Sequence, residues 1–285
     1  MDRKTVTFFC CIFFILFIGS AFAETRDSEF ALFKRSISPV YNWGENGLIT
    51  VPKATPLGTG NIHFGASVQD SGKIEGDNLY LTAASIMIGT SSDVEFGYTK
   101  RQFIWDDGDK TDLDMDTYHF KARIFHIADS FIPQVALGIN AVSLNDNEFT
   151  KEDDILFNPY LCATVNIPLI PEKFVLSATG VVENLYNEGK SSNAFFSAGA
   201  DLAIFNTVYL LAEVQGLNKD KEDPIYNFGV KLKSGWFSFG VTMFNAIQNE
   251  VTADDDLDNE DSTYYMGYAS IEIPLGKIFK GKDKK

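Results

Sequence analysis

The chain has little of several features that define common protein classes. Lys and Arg total 24 against 39 Asp and Glu in 285 residues. The formal net charge is therefore −15, which disfavours binding to nucleic-acid phosphates. Of three cysteines, Cys10 and Cys11 lie in an apolar N-terminal run, which leaves only Cys162 elsewhere in the chain. This predicts a mature chain with no internal disulfide and no cysteine metal cluster. Beyond that run no stretch of 18 residues or more is apolar, which argues against a transmembrane helix.

The first 23 residues have the features of a secretory signal peptide. A basic start precedes an apolar run over residues 6–18, and Ala21-Phe22-Ala23 provides an A-x-A cleavage site. An uncleaved anchor helix is the alternative, but the apolar run is shorter than the roughly 20 residues that span a bilayer. We therefore expect cleavage after Ala23.

From Asn61 onwards, apolar residues alternate with polar or small ones in segments of roughly ten residues. About twelve such segments follow one another, with the period of two that places successive side chains on opposite faces of a strand. The connections alternate between long or charged ones, such as NDNEFTKEDD, and brief, nearly uncharged ones, such as FN and SG. This pattern is typical of outer-membrane barrels, whose sheets close because lipid cannot satisfy an open edge. The predicted fold is an all-β, antiparallel up-and-down transmembrane β-barrel of about 12 strands.

The pattern divides the chain into four parts: a signal peptide (1–23), a lead segment (24–60), the barrel (61–275) and a basic C-terminal tail (276–285). The charged stretch DSGKIEGDN (70–78) is predicted to be one of the long connections. Brief turns are predicted on the periplasmic side and the long acidic connections on the cell surface. There, divalent cations could bridge them to lipopolysaccharide, although the same acidity also serves plain solvation.

Alternation along single strands predicts an apolar face toward lipid and a polar face toward the lumen. In DVEFGYTKRQF, for example, Phe96 and Tyr98 share one face, and Glu95 and Arg101 share the other. Two roles are open for the inward charges: pairs across neighbouring strands that form a structural network, or a selectivity strip that attracts anionic solutes along a pore. The predicted lumen-facing residues are Glu95, Arg101, His119, Lys121, Arg123, Glu213, Lys231 and Lys233.

The motif GLITVPKATPLGTG precedes the first full strand and contains Gly47, Pro52, Pro56 and Gly60. Its prolines and glycines exclude a continuous helix or a central strand, so we interpret it as the point where the chain begins the barrel. The pattern GLI..P.A..L..G, followed by an aromatic-rich strand, resembles the start of the YjbH-like outer-membrane β-barrels linked to exopolysaccharide export. The matching residues are Gly47, Leu48, Ile49, Pro52, Ala54, Leu57, Gly60 and Phe64. The resemblance implies an accessory in surface polysaccharide secretion or envelope organisation.

Catalytic motifs are not recognised in the sequence. The histidines His63, His119 and His126 form no H-E-x-x-H sequence, there is no G-x-S-x-G, and the acidic runs lack calcium-loop spacing. We therefore expect no enzyme activity, no cofactor and no metal site.

Outer membrane is the predicted location, with outer-membrane lipid and lipopolysaccharide as expected partners. A polysaccharide or secretion-system partner follows from the family resemblance, and nucleic acid is not expected. Two other functions stay open: a passive porin-like channel for small solutes, and a soluble periplasmic β-sheet binding protein, which would need no lipid-facing band.

Overall fold

The computed structural model describes residues 39–40, 45–74, 77–105, 113–127, 131–144, 154–171, 173–184, 186–187, 190–191, 194–217, 224–245 and 263–275. The predicted signal peptide, most of the lead segment before Gly47, the basic tail and most residues of the long acidic connections lie outside these ranges. Across the described ranges, no helix has both the length and the apolar character that crossing a membrane requires.

Twelve antiparallel strands form one closed sheet. Each pairs with the next along the chain, and the last pairs with the first, so the predicted up-and-down barrel of about 12 strands is confirmed. The strands are β1 (Asn61–Ile74), β2 (Asp77–Gly89), β3 (Val94–Trp105), β4 (Leu113–Phe125), β5 (Gln134–Leu144), β6 (Asp154–Ile170), β7 (Phe174–Glu183), β8 (Phe195–Ile204), β9 (Val208–Gln215), β10 (Ile225–Ser234), β11 (Phe237–Phe244) and β12 (Tyr264–Pro274).

Two pairs of very short strands accompany the barrel. Pro39–Val40 pairs with Glu45–Asn46 ahead of β1, and Tyr186–Asn187 pairs with Lys190–Ser191 between β7 and β8. The second pair extends the sheet beside β6, because Tyr186 pairs with Phe157.

Connection lengths differ between the two rims of the barrel. The turns after β2, β6, β8 and β10 have two to four residues and the connection after β4 has eight, and we call their side the short-turn rim. The connections after β3, β5, β7, β9 and β11, with seven to nineteen residues, are on the opposite side, the long-loop rim, as is the two-residue connection after β1. β1 begins and β12 ends at the short-turn rim, so both ends of the barrel chain are on that side.

The predicted long loop over 70–78 is wrong. β1 and β2 continue through this stretch and are joined by residues 75–76 alone. After a register shift between Asp70 and Lys73, Lys73 pairs with Asn78 and Ile74 with Asp77. Charge does not prevent a strand from extending past the apolar band into water, and two residues are enough to close a hairpin.

Side chains alternate between the two faces of the barrel wall. On β11, Phe239 and Val241 are 55% and 60% exposed, whereas Ser238 and Thr242 are 4% and 1% exposed. Across the described strands the outward positions carry most of the large exposed apolar residues, while serine, threonine, asparagine and charged residues are frequent inward. This is the distribution expected for a barrel with lipid outside.

Candidate functional site: a plug in the barrel lumen

Residues 47–57, which we call the plug segment, lie inside the barrel. Its apolar residues Leu48, Ile49, Val51 and Ala54 are each at most 5% exposed, although none belongs to a barrel strand. These four pack in one cluster with inward wall residues: Ala136, Tyr160, Cys162, Val181, Ala203, Tyr209, Leu211, Phe244 and Met266. The interior is thus partly an apolar core around the plug segment, whereas the strand pattern alone predicted a polar lumen.

A tight turn begins the plug segment. Gly47 and Pro52 form an antiparallel bridge, and the Leu48 N–H donates to the Val51 carbonyl oxygen at 2.9 Å. Pro52 and Pro56 are buried and carry no N–H, so they add no backbone donor that would need a partner inside the barrel.

The Glu213 carboxylate holds this turn from the wall. It accepts the backbone N–H groups of Ile49, Thr50 and Val51 at 3.0–3.2 Å and the Thr50 hydroxyl at 2.6 Å. The side-chain amide of Asn227 donates to the same carboxylate at 2.8 Å. Successive N–H groups that converge on one anion form a backbone nest, and hydrogen bonds to a charged acceptor are stronger than neutral ones.

An ion pair anchors the middle of the plug segment. The Lys53 ammonium contacts the Asp201 carboxylate of β8, and both side chains are buried. Next along the segment, the Ala54 N–H donates to the Thr164 hydroxyl of β6 at 2.9 Å. Breaking such a buried ion pair costs far more than breaking an exposed one, because the partner left behind is an uncompensated charge.

The end of the plug segment joins a buried ion pair of the wall. The Leu57 N–H donates to Glu95 Oε2 at 2.6 Å, and Lys121 Nζ lies 2.7 Å from Glu95 Oε1. The Glu95 and Lys121 side chains are fully buried. Since these two residues are directly paired on β3 and β4, one carboxylate both neutralises the wall cation and holds the plug.

Two wall glycines leave room for the plug segment and for the residues that lead from it into β1. A Cβ on Gly199 would lie 2.4 Å from Leu48 Cδ1, and a Cβ on Gly89 would lie 1.8 Å from the Gly58 carbonyl oxygen. The Gly60 N–H donates to the Gly89 carbonyl oxygen at 2.8 Å. Gly58 and Gly60 have φ of +87° and +69°, so the chain turns into β1 with backbone angles that favour glycine.

The inner face of the wall holds all eight residues predicted to face the lumen. Six are buried, and Arg123 and Lys233 are partly buried near the short-turn rim. Apart from the Lys121–Glu95 pair, Arg123 Nη2 lies 2.6 Å from Asp93 Oδ1 and Lys233 Nζ lies 3.1 Å from Glu272 Oε2. These pairs favour the structural network over a free basic strip.

Two further predicted lumen cations, Arg101 and Lys231, each contact an uncharged group of the wall. Arg101 Nη2 donates to the Thr117 hydroxyl at 2.8 Å, and Lys231 Nζ lies 5.1 Å from the centre of the Tyr209 ring. A cation at that distance over an aromatic face is attracted by the ring electrons.

His119, the histidine among the predicted lumen residues, packs on a glycine. It lies directly opposite Gly97, and a Cβ on Gly97 would lie 1.7 Å from the imidazole. Tyr160 covers Gly138 and Tyr268 covers Gly240 in the same way.

Within the described residues, no group of three or more His, Cys, Asp or Glu could hold a metal ion. The absence of enzyme activity stays a prediction.

Several residues that hold the plug were not in the predicted site: Thr50, Lys53, Thr164, Gly199 and Asp201. Strand alternation puts Thr164, Gly199 and Asp201 on the inner face, but it does not show that the lead segment would meet them.

Solved structures give the chain a known fold. The KdgM porin has a TM-score of 0.50, 9% identity, and coverage of 74% of this chain and 98% of the porin. Two other structures have lower TM-scores. The outer membrane protein Omp33 of Acinetobacter baumannii has a TM-score of 0.42 and 8% identity, and the match covers 76% of this chain and 99% of that one. The outer membrane phospholipase A of Escherichia coli has a TM-score of 0.41 and 9% identity, and the match covers 75% of this chain and 93% of that one. The chain has the fold of an outer-membrane β-barrel. At these identities the likeness shows the fold alone, and no protein-family model or curated protein matches the sequence.

Proposed function

We propose that the protein lies in the outer membrane and acts as an accessory in surface polysaccharide secretion or envelope organisation, with a lumen that is closed at rest. The observation that carries the closed lumen is the Glu213 carboxylate bound to three successive N–H groups of the plug segment. A barrel filled in this way works through its loops, its rims or its partners more than through free diffusion.

The polysaccharide part of the proposal rests on the resemblance of GLI..P.A..L..G to the YjbH-like barrels. The structure gives this motif a physical role, because Leu48, Ile49, Ala54 and Leu57 are its apolar positions and all are buried inside the barrel. Gly47 and Pro52 of the same motif bridge the turn that Glu213 holds. A motif that builds a plug supports a shared architecture with that family.

The proposal is tested by measuring polysaccharide export in cells that lack the protein. Deletion should lower the amount of surface or secreted polysaccharide, and the wild-type chain should restore it. Uptake of a small polar antibiotic should be unchanged by the deletion. Unchanged polysaccharide together with slower uptake would contradict the proposal and favour a porin.

A porin-like channel is the second candidate, and the polar inner wall favours it. Buried inward residues include Thr99, Thr117, Asn140, Asn166 and Thr179, which suit a water-filled lumen better than a dry core. The KdgM porin, which shares the fold, is known in a complex with disordered oligogalacturonate. High conductance of the purified wild-type chain at all times would support this candidate.

A soluble periplasmic protein is the third possibility, and fractionation separates it from the first two. The apolar outward face predicts recovery of the mature chain with the outer membrane. Recovery in the soluble periplasmic fraction would contradict both the secretion accessory and the porin.

A further inference from the structure

We propose that the plug segment is a gate: when it leaves Glu213 and Asp201, the barrel becomes an aqueous, cation-preferring path for small solutes. This rests on the closed lumen of the proposed function and adds a second, conducting state. Four observations carry it: the independence of the barrel sheet, the polar nature of the plug contacts, the partnerless hydroxyls of the described wall and the charges left on it.

The barrel sheet does not depend on the plug segment. All twelve strands pair with two neighbours through their own backbones, including the closing pair of β12 with β1. At Ile49, Thr50, Val51, Ala54 and Leu57, the plug segment donates its N–H groups to wall side chains and not to the ladder. Its departure would therefore leave the sheet closed.

The contacts that hold the plug are ones that water can replace. Glu213 would exchange the plug N–H groups for water, and Lys53 and Asp201 would separate into two hydrated ions. The apolar contacts of Leu48, Ile49 and Val51 oppose release. Together, these two kinds of contact favour the closed state at rest. A pulling force or a bound partner would then release the plug segment.

The inner wall has buried side-chain oxygens that have no hydrogen-bond partner among the described residues. Ser197 Oγ, Thr242 Oγ1 and Ser270 Oγ belong to this group, as does the Asn245 side-chain oxygen. Such groups are costly in a dry interior and are satisfied in a wet one. The three hydroxyls lie on β8, β11 and β12, which fits a lumen that fills with water.

The charges on the wall set the predicted selectivity. Glu183, Asp201 and Glu213 face inward on the adjacent strands β7, β8 and β9, and release removes plug donors from the last two. The wall cations Lys121, Arg123 and Lys233 keep their wall carboxylates in both states. Lys231 also faces inward on the neighbouring strand β10 and offsets one of these three carboxylates, so this side of the opened path keeps a net negative charge, which attracts cations and repels anions.

Planar-bilayer recordings of the purified full-length chain test the gate. Glu213→Gln should raise the open probability on the order of tenfold over wild type, because it weakens at least one charge-assisted hydrogen bond. The matched control is Glu183→Gln, since Glu183 also faces inward and binds Asn158 and not the plug segment. It should leave the open probability unchanged and should lower only the cation preference of the open state.

A reversible disulfide crosslink tests the gate independently, in case Glu213→Gln disturbs folding. In a Cys162→Ser background, Leu48→Cys and Gly199→Cys should crosslink the plug to the wall, because Leu48 Cδ1 lies close to where a Gly199 side chain would start. Oxidation should abolish openings, and reduction should restore them. Under a salt gradient the reversal potential should show cation preference, and Asp201→Asn should reduce it.

Equal conductance in the oxidised and reduced states, or anion preference of the open state, would overturn the gate. These results are separable from the proposed function. Normal gating without any effect on polysaccharide would refute only the secretion role, whereas a permanently silent barrel that still supports polysaccharide export would refute only the gate.

Discussion

Glu213 Oε2 accepts the N–H of Ile49 at 3.1 Å, although the two residues are 164 positions apart in the sequence. This contact joins the lead of the chain to β9 on the barrel wall. Because Thr50 and Val51 donate to the same carboxylate, one wall residue fixes the turn of the plug segment. Substitutions at this contact and in the wall around it should therefore have distinct, measurable effects.

Glu213→Gln should make the plug segment accessible to protease. Loss of the charge weakens the nest, so trypsin should cut after Lys53 about tenfold faster in folded protein, as expected for one lost charge-assisted hydrogen bond. Peptide mapping after limited digestion measures the rate. Glu183→Gln is the control and should behave as wild type. Equal rates for Glu213→Gln and wild type would mean that Glu213 does not hold the plug.

Lys121→Gln should destabilise the barrel by about 3–5 kcal/mol, since it leaves the buried Glu95 carboxylate without its cation. Urea unfolding in detergent micelles measures the loss. Lys100→Gln is a matched control, because Lys100 also pairs with an acid across β3 and β4 but its side chain is 51% exposed. It should have little effect. Similar losses for both variants would contradict the buried network.

Phe239→Arg should cost about 2–4 kcal/mol if this outward residue lies near the bilayer midplane, whereas Tyr265→Arg, outward at the long-loop rim, should cost about 0–1 kcal/mol. Both side chains are more than half exposed in the isolated barrel, so burial in protein cannot explain a difference. Unfolding from lipid vesicles measures both. An equal cost would mean that the apolar face does not contact lipid.

Gly97→Ala should destabilise the barrel by about 1–3 kcal/mol, since the new methyl group would meet the His119 imidazole. The double variant Gly97→Ala/His119→Ala should recover much of this loss because the ring is gone. A double-mutant cycle on unfolding free energies isolates the pair. Additive losses would show that the ring does not rest on the glycine.

The strands and their facing could be predicted from sequence because they follow local rules. A period of two along each segment identifies a strand and gives the face of residues such as Glu95 and Lys121, and neighbouring hairpins bring those two together. The error at 70–78 arose from treating charge as a loop signal, although a strand outside the lipid tolerates charge.

The plug segment could not be predicted in this way. Its residues have no strand or helix period, and its partners Glu213 and Asp201 are about 150 or more positions away in sequence. Alternation shows which residues face inward but not what fills the space between them. The clues were indirect: apolar residues between prolines, and wall positions such as Gly199 with no side chain of their own.

Crosslinking in native outer membranes tests the plugged lumen most directly. In a Cys162→Ser background, Leu48→Cys with Gly199→Cys should form a bridge that mass spectrometry detects between the two peptides. Leu48→Cys with Gly180→Cys is the matched control, because Gly180 lies at an outward position of the wall, with no atom within 4 Å of an added Cβ. A plugged lumen predicts a bridge to position 199 and none to position 180. No bridge to 199 in folded protein, or equal bridging to both positions, would contradict a plug inside the barrel.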